Sequence, residues 1–193
     1  MWVNQSAIRP IPPYAKVHPL VIELVRDELL TSNEDIEGRL DRAFEGFERS
    51  QPILAQRVGE VLEGPLGEAA VALGFFLTLS VWMAFDRAHG SSQGMVSQAG
   101  FDSTSELVKL DQKLRQDAQD EALETDDVIA MEQPAIMRFI HEQMTTTLEI
   151  HSASIEAEHL ARVYRTILVE ILALSYAVKV PKGYSKEAVE VLA

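Results

Sequence analysis

AAVALGFFLTLSVWMAF, residues 69–85, is the stretch on which the fold turns, because 17 residues without a charge either cross a bilayer or fill the middle of a soluble helical body. A span needs roughly 18 to 20 such residues, with basic flanks to orient it. This run falls at the short limit and is bounded by Glu68, Asp86 and Arg87. We read it as the core helix of a soluble protein, over 67–88, covered on every side and with Trp82 buried.

Upstream, EGPLG at 63–67 breaks the chain at Gly64 and Pro65, and before it SQPILAQRVGEVL, residues 50–62, carries Leu54, Ala55, Val58, Val61 and Leu62 on one helical face. Pro52 is a start signal: it lacks the amide hydrogen that a first helical turn leaves unpaired, and its φ suits that position. The same Gln-Pro recurs in EQPAIMRFIHEQM, residues 132–144, where Leu54 corresponds to Ile136, Ala55 to Met137, Val58 to Ile140, Glu60 to Glu142 and Leu62 to Met144. A second long apolar helix follows, over 155–178, with Leu160, Tyr164, Ile167, Ile171, Leu174 and Val178 in a heptad-like seam. Two hairpins of this kind, if duplicated, pack as a pseudo-symmetric four-helix core. The second apolar helix carries Arg162, Arg165 and Glu170, so it is expected to be the more exposed of the two.

Towards the N-terminus, Pro19 opens a helix with Leu20, Leu24 and Val25 expected inward. Ser32 and Asp35 have capping-box spacing ahead of a stripe of Ile36, Leu40, Ala43, Phe44 and Phe47. HGSSQGMVSQAG, residues 89–100, has no periodicity and reads as an exposed loop with Ser91, Ser92 and Ser97 in it. Ser103 and Glu106 then suggest a cap for a helix burying Leu107, Leu110, Leu114 and Ala118. Ser152 or Ser154 is placed to restart the last long helix, and Ser185 to cap a short final one. No segment alternates like a strand. The class is all-α, a bundle of about six to seven helices. We divide it into a Pro-rich arm, 1–18, and one helical domain, 19–193, made of a first half 19–88, a linker 89–102 and a second half 103–193.

Composition narrows the function. The net charge of −13 opposes nucleic-acid binding, which needs Lys and Arg to displace phosphate counterions. The absence of Cys excludes disulfides, zinc-thiolate sites and thiol catalysis. Ten acids and three bases between Asp102 and Glu132 read as a solvated face. The N-terminus has no secretory pattern, which points to the cytoplasm. IRPIPPY, residues 8–14, has polyproline II character and reads as an arm packed on its own domain or a partner subunit.

For chemistry, Asp86 with His89 and Glu156 with His159, each at i and i+3, imitate the carboxylate-x-x-His elements of a di-metal bundle. The further acids such a site requires, Glu60 and Glu142, fall off the apolar stripes and point to solvent. His141 and His151 lie at the edge of an apolar stripe, and His141-Glu142 lacks a second His at i+4, where Thr145 stands. No phosphate loop or nucleophile elbow is present. Phe75, Phe76, Trp82 and Met83 offer an apolar lining that could enclose a small ligand, or simply pack. We assign no catalytic, cofactor or metal residue. The expected function is non-catalytic, through self-association as a homodimer or through a protein partner, without nucleic acid or membrane; the di-metal bundle and the apolar-ligand binder are the alternatives.

Overall fold

Three of the eight helices among the described residues open on proline, as the first-turn argument requires. The computed structural model describes residues 6–31, 36–117, 125–151 and 155–184. Within them run α1 (Pro19–Arg26, continued by a π-helical turn Asp27–Thr31), α2 (Ile36–Ser50), α3 (Pro52–Leu62), α4 (Glu68–His89), α5 (Gln98–Asp117), α6 (Thr125–Glu132), α7 (Pro134–His151) and α8 (Ala157–Ala177). Short 3₁₀ turns, Pro13–Ala15 and Gly90–Ser92, precede α1 and α5. Among the described residues there is no strand, only one bridge between Gln93 and Val178. The protein is an all-α bundle. The proposed caps at Ser32, Ser152, Ser154 and Ser185, and Ala118, lie outside the described residues.

The central pair is α4 and α8. Near their starts the Gly67 N–H meets His159 Nδ1 at 3.3 Å; at their ends the Gly94 N–H donates to the Ala177 carbonyl at 2.9 Å and the Lys179 N–H to that of Ser92 at 2.8 Å. The two helices therefore run parallel. α4 is long and apolar enough to cross a membrane, but it is the core helix: Leu77 to Phe85 are buried without interruption. Trp82 is only 8% exposed, its ring beside Phe47 and its Nε1 donating to Ser50 Oγ at 2.9 Å. Helices α3 and α7 cross over, α3 packing on α8 and α7 on α4, while α1 lies on α4 and α5 on α8. Among the matched positions, Leu54 and Ile136 are buried, Val58 and Ile140 are buried, and Glu60 and Glu142 are exposed, whereas Ala55 is half-buried and Met137 buried.

Five expectations need correction. In α1 the inward residues are Ile22 and Val25, followed by Leu29 in the π-helical turn; Leu20 and Leu24 are 66% and 56% exposed. In α5 the inward residues are Thr104, Val108 and Asp111, leaving Leu110 and Leu114 at 49% and 40% exposure. That helix also starts at Gln98, not at Ser103, because Ser97 is its cap, with Oγ accepting from the Gly100 N–H at 3.1 Å. Segment 89–102 is thus no free linker: Gly94 and Val96 are buried, and a Cβ at Gly94 would collide with the Ala177 carbonyl oxygen. Finally, α8 is exposed only over its first turns, where Arg162 and Arg165 reach solvent. From Thr166 to Ser175 it is buried, Glu170 included.

The N-terminal arm packs on its own domain. Ile8, Ile11, Ala15 and Val17 belong to the core, and Arg9 lies over the Tyr176 ring while its carbonyl accepts from the Tyr176 hydroxyl at 2.6 Å.

Candidate functional site

The two Gln-Pro signals hold more than helix starts. Gln51, 2% exposed, donates from Nε2 to the Gly94 carbonyl at 2.9 Å and accepts the Val96 N–H on Oε1 at 2.8 Å. Gln133, fully buried, donates to the Ala15 carbonyl at 2.8 Å and accepts the Val17 N–H at 3.0 Å. Each side-chain amide pairs with the C=O of one residue and the N–H of the residue two further on, as a neighbouring strand would. The clamps are crossed: the glutamine before α3 holds the segment leading into α5, and the glutamine before α7 holds the segment leading into α1. Nothing in the local pattern separates such a glutamine from a surface residue; its recurrence with Pro was the available signal.

The residues proposed for a di-metal site are held apart. Since α4 and α8 are parallel, His89 at the end of α4 and His159 in the first turn of α8 are separated by nearly the length of the helices, roughly 30 Å at 1.5 Å per residue. His89 is held against the Ala15 backbone; burial pulls its pKa down, and that contact opposes the shift. His159 pairs with Glu156 at 3.8 Å, and Asp86 is exposed. Glu142 pairs with Arg26 and Glu60 with Arg57, both at the surface. Among the described residues no group of three His, Asp or Glu is arranged to hold a metal ion.

The proposed apolar lining also diverges around α4. Phe75 packs on Phe44, Phe76 on Phe139 and Trp82 on Phe47. Phe76 opens on a groove of about 630 Å³ with Leu73, Ile150 and His151, whereas Trp82 and Met83 floor a smaller hollow of about 340 Å³ rimmed by Arg39, Arg42 and Arg87.

Two polar arrangements join helices that the sequence leaves unconnected. Tyr164 on α8 donates to Asp126 Oδ2 on α6 at 2.8 Å, which leaves its oxygen to accept from His141 Nε2–H on α7 at 2.7 Å. The hydroxyl is used in both directions, so this relay fastens three helices. Asp111 on α5 is fully buried and collects the Ser6 hydroxyl and Ala7 N–H on Oδ1, both at 2.9 Å, and the Thr125 hydroxyl at 2.8 Å and Arg115 Nε at 2.5 Å on Oδ2. Burial works to raise its pKa, but the bonds from Arg115, Thr125, Ser6 and Ala7 outweigh it and hold the carboxyl below its ordinary value.

Glu170 is the opposite case. It is 0% exposed, and neither carboxyl oxygen completes a hydrogen bond. Burial pushes its pKa well above the ordinary carboxylate value. The Thr78 hydroxyl beside it pulls weakly the other way without reaching bonding geometry.

On the surface, the two outward leucine pairs stand out, because each places its members one turn apart on a single helix face. Helices α1 and α5, which carry them, occupy corresponding places in the two halves, against α4 and α8 respectively.

Comparison of the chain with protein-family models, with curated proteins and with solved structures finds no match. The class that fold and surface define is a helical bundle of eight described helices, with most buried polar groups committed to internal contacts, Glu170 excepted, and apolar side chains left outside on α1 and α5.

Proposed function

We propose that this is a soluble, cytoplasmic, non-catalytic protein that works by self-association or by binding another protein, and that its halves are copies of one unit. The observation that carries the functional reading is the exposure of Leu20, Leu24, Leu110 and Leu114 on two helices whose opposite faces are already satisfied. Paired leucines on a helix are costly to hydrate, and covering them recovers roughly 25 cal/mol per Å² of apolar surface. The crossed glutamine clamps, with the same C=O and N–H pattern on both sides, support the duplication. A net charge of −13 favours a protein partner over nucleic acid, and burial of α4 within the bundle favours a soluble body over a membrane one.

Light scattering across a hundredfold concentration range tests the reading. The mass should rise above the 21.5 kDa of one chain, towards a dimer or larger, and fall back when Leu20 and Leu24 are replaced by Glu. A mass fixed at one chain at all concentrations, with no protein partner captured through these faces, refutes it.

A further inference from the structure

We infer that the partner is a second copy of this chain, joined head to tail, with α1 of one copy docked on α5 of the next. This rests on the self-association reading above and adds to it which two faces meet.

The charges beside the two leucine pairs differ in sign: two acids on α1, and two lysines with one acid, Glu106, on α5. Leu20 and Leu24 share their face with Glu23 and Asp27, both exposed and again one turn apart. Leu110 and Leu114 are flanked by Lys109 and Lys113, also exposed and one turn apart. In a chain with 30 acids against 17 bases, an exposed pair of lysines beside an apolar pair is a minority feature, and α1 carries its complement. Lys109 already meets Glu106 at 2.9 Å, but both side chains are largely exposed, and such a pair exchanges readily for another. Two turns of helix from each side give an interface smaller than a stable complex needs, so the contact is weak and sets in as concentration rises. Its charges fix register and partner choice more than affinity.

Because α1 and α5 are different surfaces, one such contact leaves each copy an unused α1 or α5: two copies that make both contacts at once close into a two-fold pair, and otherwise the outcome is a larger ring or a growing row. A two-fold dimer in which a face meets itself would place Glu23 and Asp27 against the same acids, or Lys109 and Lys113 against the same lysines.

Charge reversal tests this with the full chain. One variant carries Glu23→Lys and Asp27→Lys, the other Lys109→Glu and Lys113→Glu. All four residues are exposed, and circular dichroism should show an unchanged helix content. In sedimentation velocity each variant alone should associate at least about tenfold more weakly than the parent, because like charges now face each other, and an equimolar mixture should recover association. Raising the salt to about 0.5 M should weaken the parent, since exposed charges are screened. If the α5 variant associates like the parent, or the mixture fails to recover, the α1–α5 contact is wrong while self-association through other faces stands. A parent that is monomeric throughout overturns both.

Discussion

Replacing Glu170 by Gln should stabilise the protein at neutral pH and leave it almost unchanged near pH 4. The carboxyl is fully buried with no completed hydrogen bond, and its pKa is raised well above the ordinary 4.5. The folded chain therefore holds a proton that the unfolded chain releases above that ordinary value. The stability this group contributes is fully present below about pH 4.5 and is lost as pH climbs through the folded-state value. Each pH step over which only the folded state keeps the proton costs about 1.4 kcal/mol, so from 4.5 to 7 the ceiling is about 3 kcal/mol. Glutamine keeps the shape and removes the titration. For a chain of this size, about 3 kcal/mol corresponds to roughly 6 to 12 °C in Tm. Urea denaturation of both proteins at several values between pH 4 and 8 measures the difference directly, and every other titrating group cancels between them. A difference that is the same at pH 4 and pH 7.5, or a Gln variant less stable at all pH values, would show that Glu170 is ionised and compensated in the fold.

The other expectations concern the polar contacts inside the bundle. Asp111→Asn removes the charge on which four donor groups converge and should cost about 2 to 3 kcal/mol at pH 7. Because that carboxyl is held below its ordinary value of 3.8, the parent's advantage should be full above that pH and disappear as acid carries it through the lower folded-state value. Gln51→Ala and Gln133→Ala each strand a buried N–H and C=O, so each should cost about 2 to 4 kcal/mol. Hydrogen exchange should separate them, the first exposing the Val96 amide and the second the Val17 amide. Gly94→Ala should be more damaging than its size suggests, by roughly 2 kcal/mol or more, because the new Cβ meets the backbone of Ala177, which cannot swing aside as a flexible side chain would. Thermal melting against the parent checks it.

The long-range signals in the sequence were readable where one physical effect dominates. Proline at 19, 52 and 134 opens a helix in each case, and the 17-residue uncharged run forms the helix buried at the centre of the bundle. Helix α1 was misread because Leu20, Val21, Ile22, Leu24 and Val25 surround it with apolar side chains, and only the position of α4 decides which of them turn inward. In α5 the buried side carries Thr104, Asp111 and Arg115, a polar stripe that is tolerable only because Ser6, Ala7 and Thr125 arrive from distant parts of the chain. Periodicity scores leucines and passes over such a stripe. Glu170 did leave a trace: it is the only charge between Thr166 and Ser175, and a run that apolar had no solvent-facing side to offer it. The candidate metal pairs were matched by local spacing alone. What separates them is that α4 and α8 run in the same direction, which spacing does not encode.

The crossed clamps bear on how the chain reaches its fold during synthesis. The Val17 amide emerges 116 residues ahead of Gln133, an interval of roughly 6 to 23 seconds at ribosomal speeds of 5 to 20 residues per second. Gln51 likewise waits for Gly94, 43 residues downstream. Gln51 can close on Gly94 and Val96 well before Gln133 is made, but through the longer interval the first half has its helices without its arm secured, so it cannot complete as a separate folding unit. The clamp on the arm closes only once Gln133, in the second half, is made. A chain released early would carry the core residues Ile11, Ala15 and Val17 unprotected, in a form that quality-control proteases and chaperones are suited to recognise.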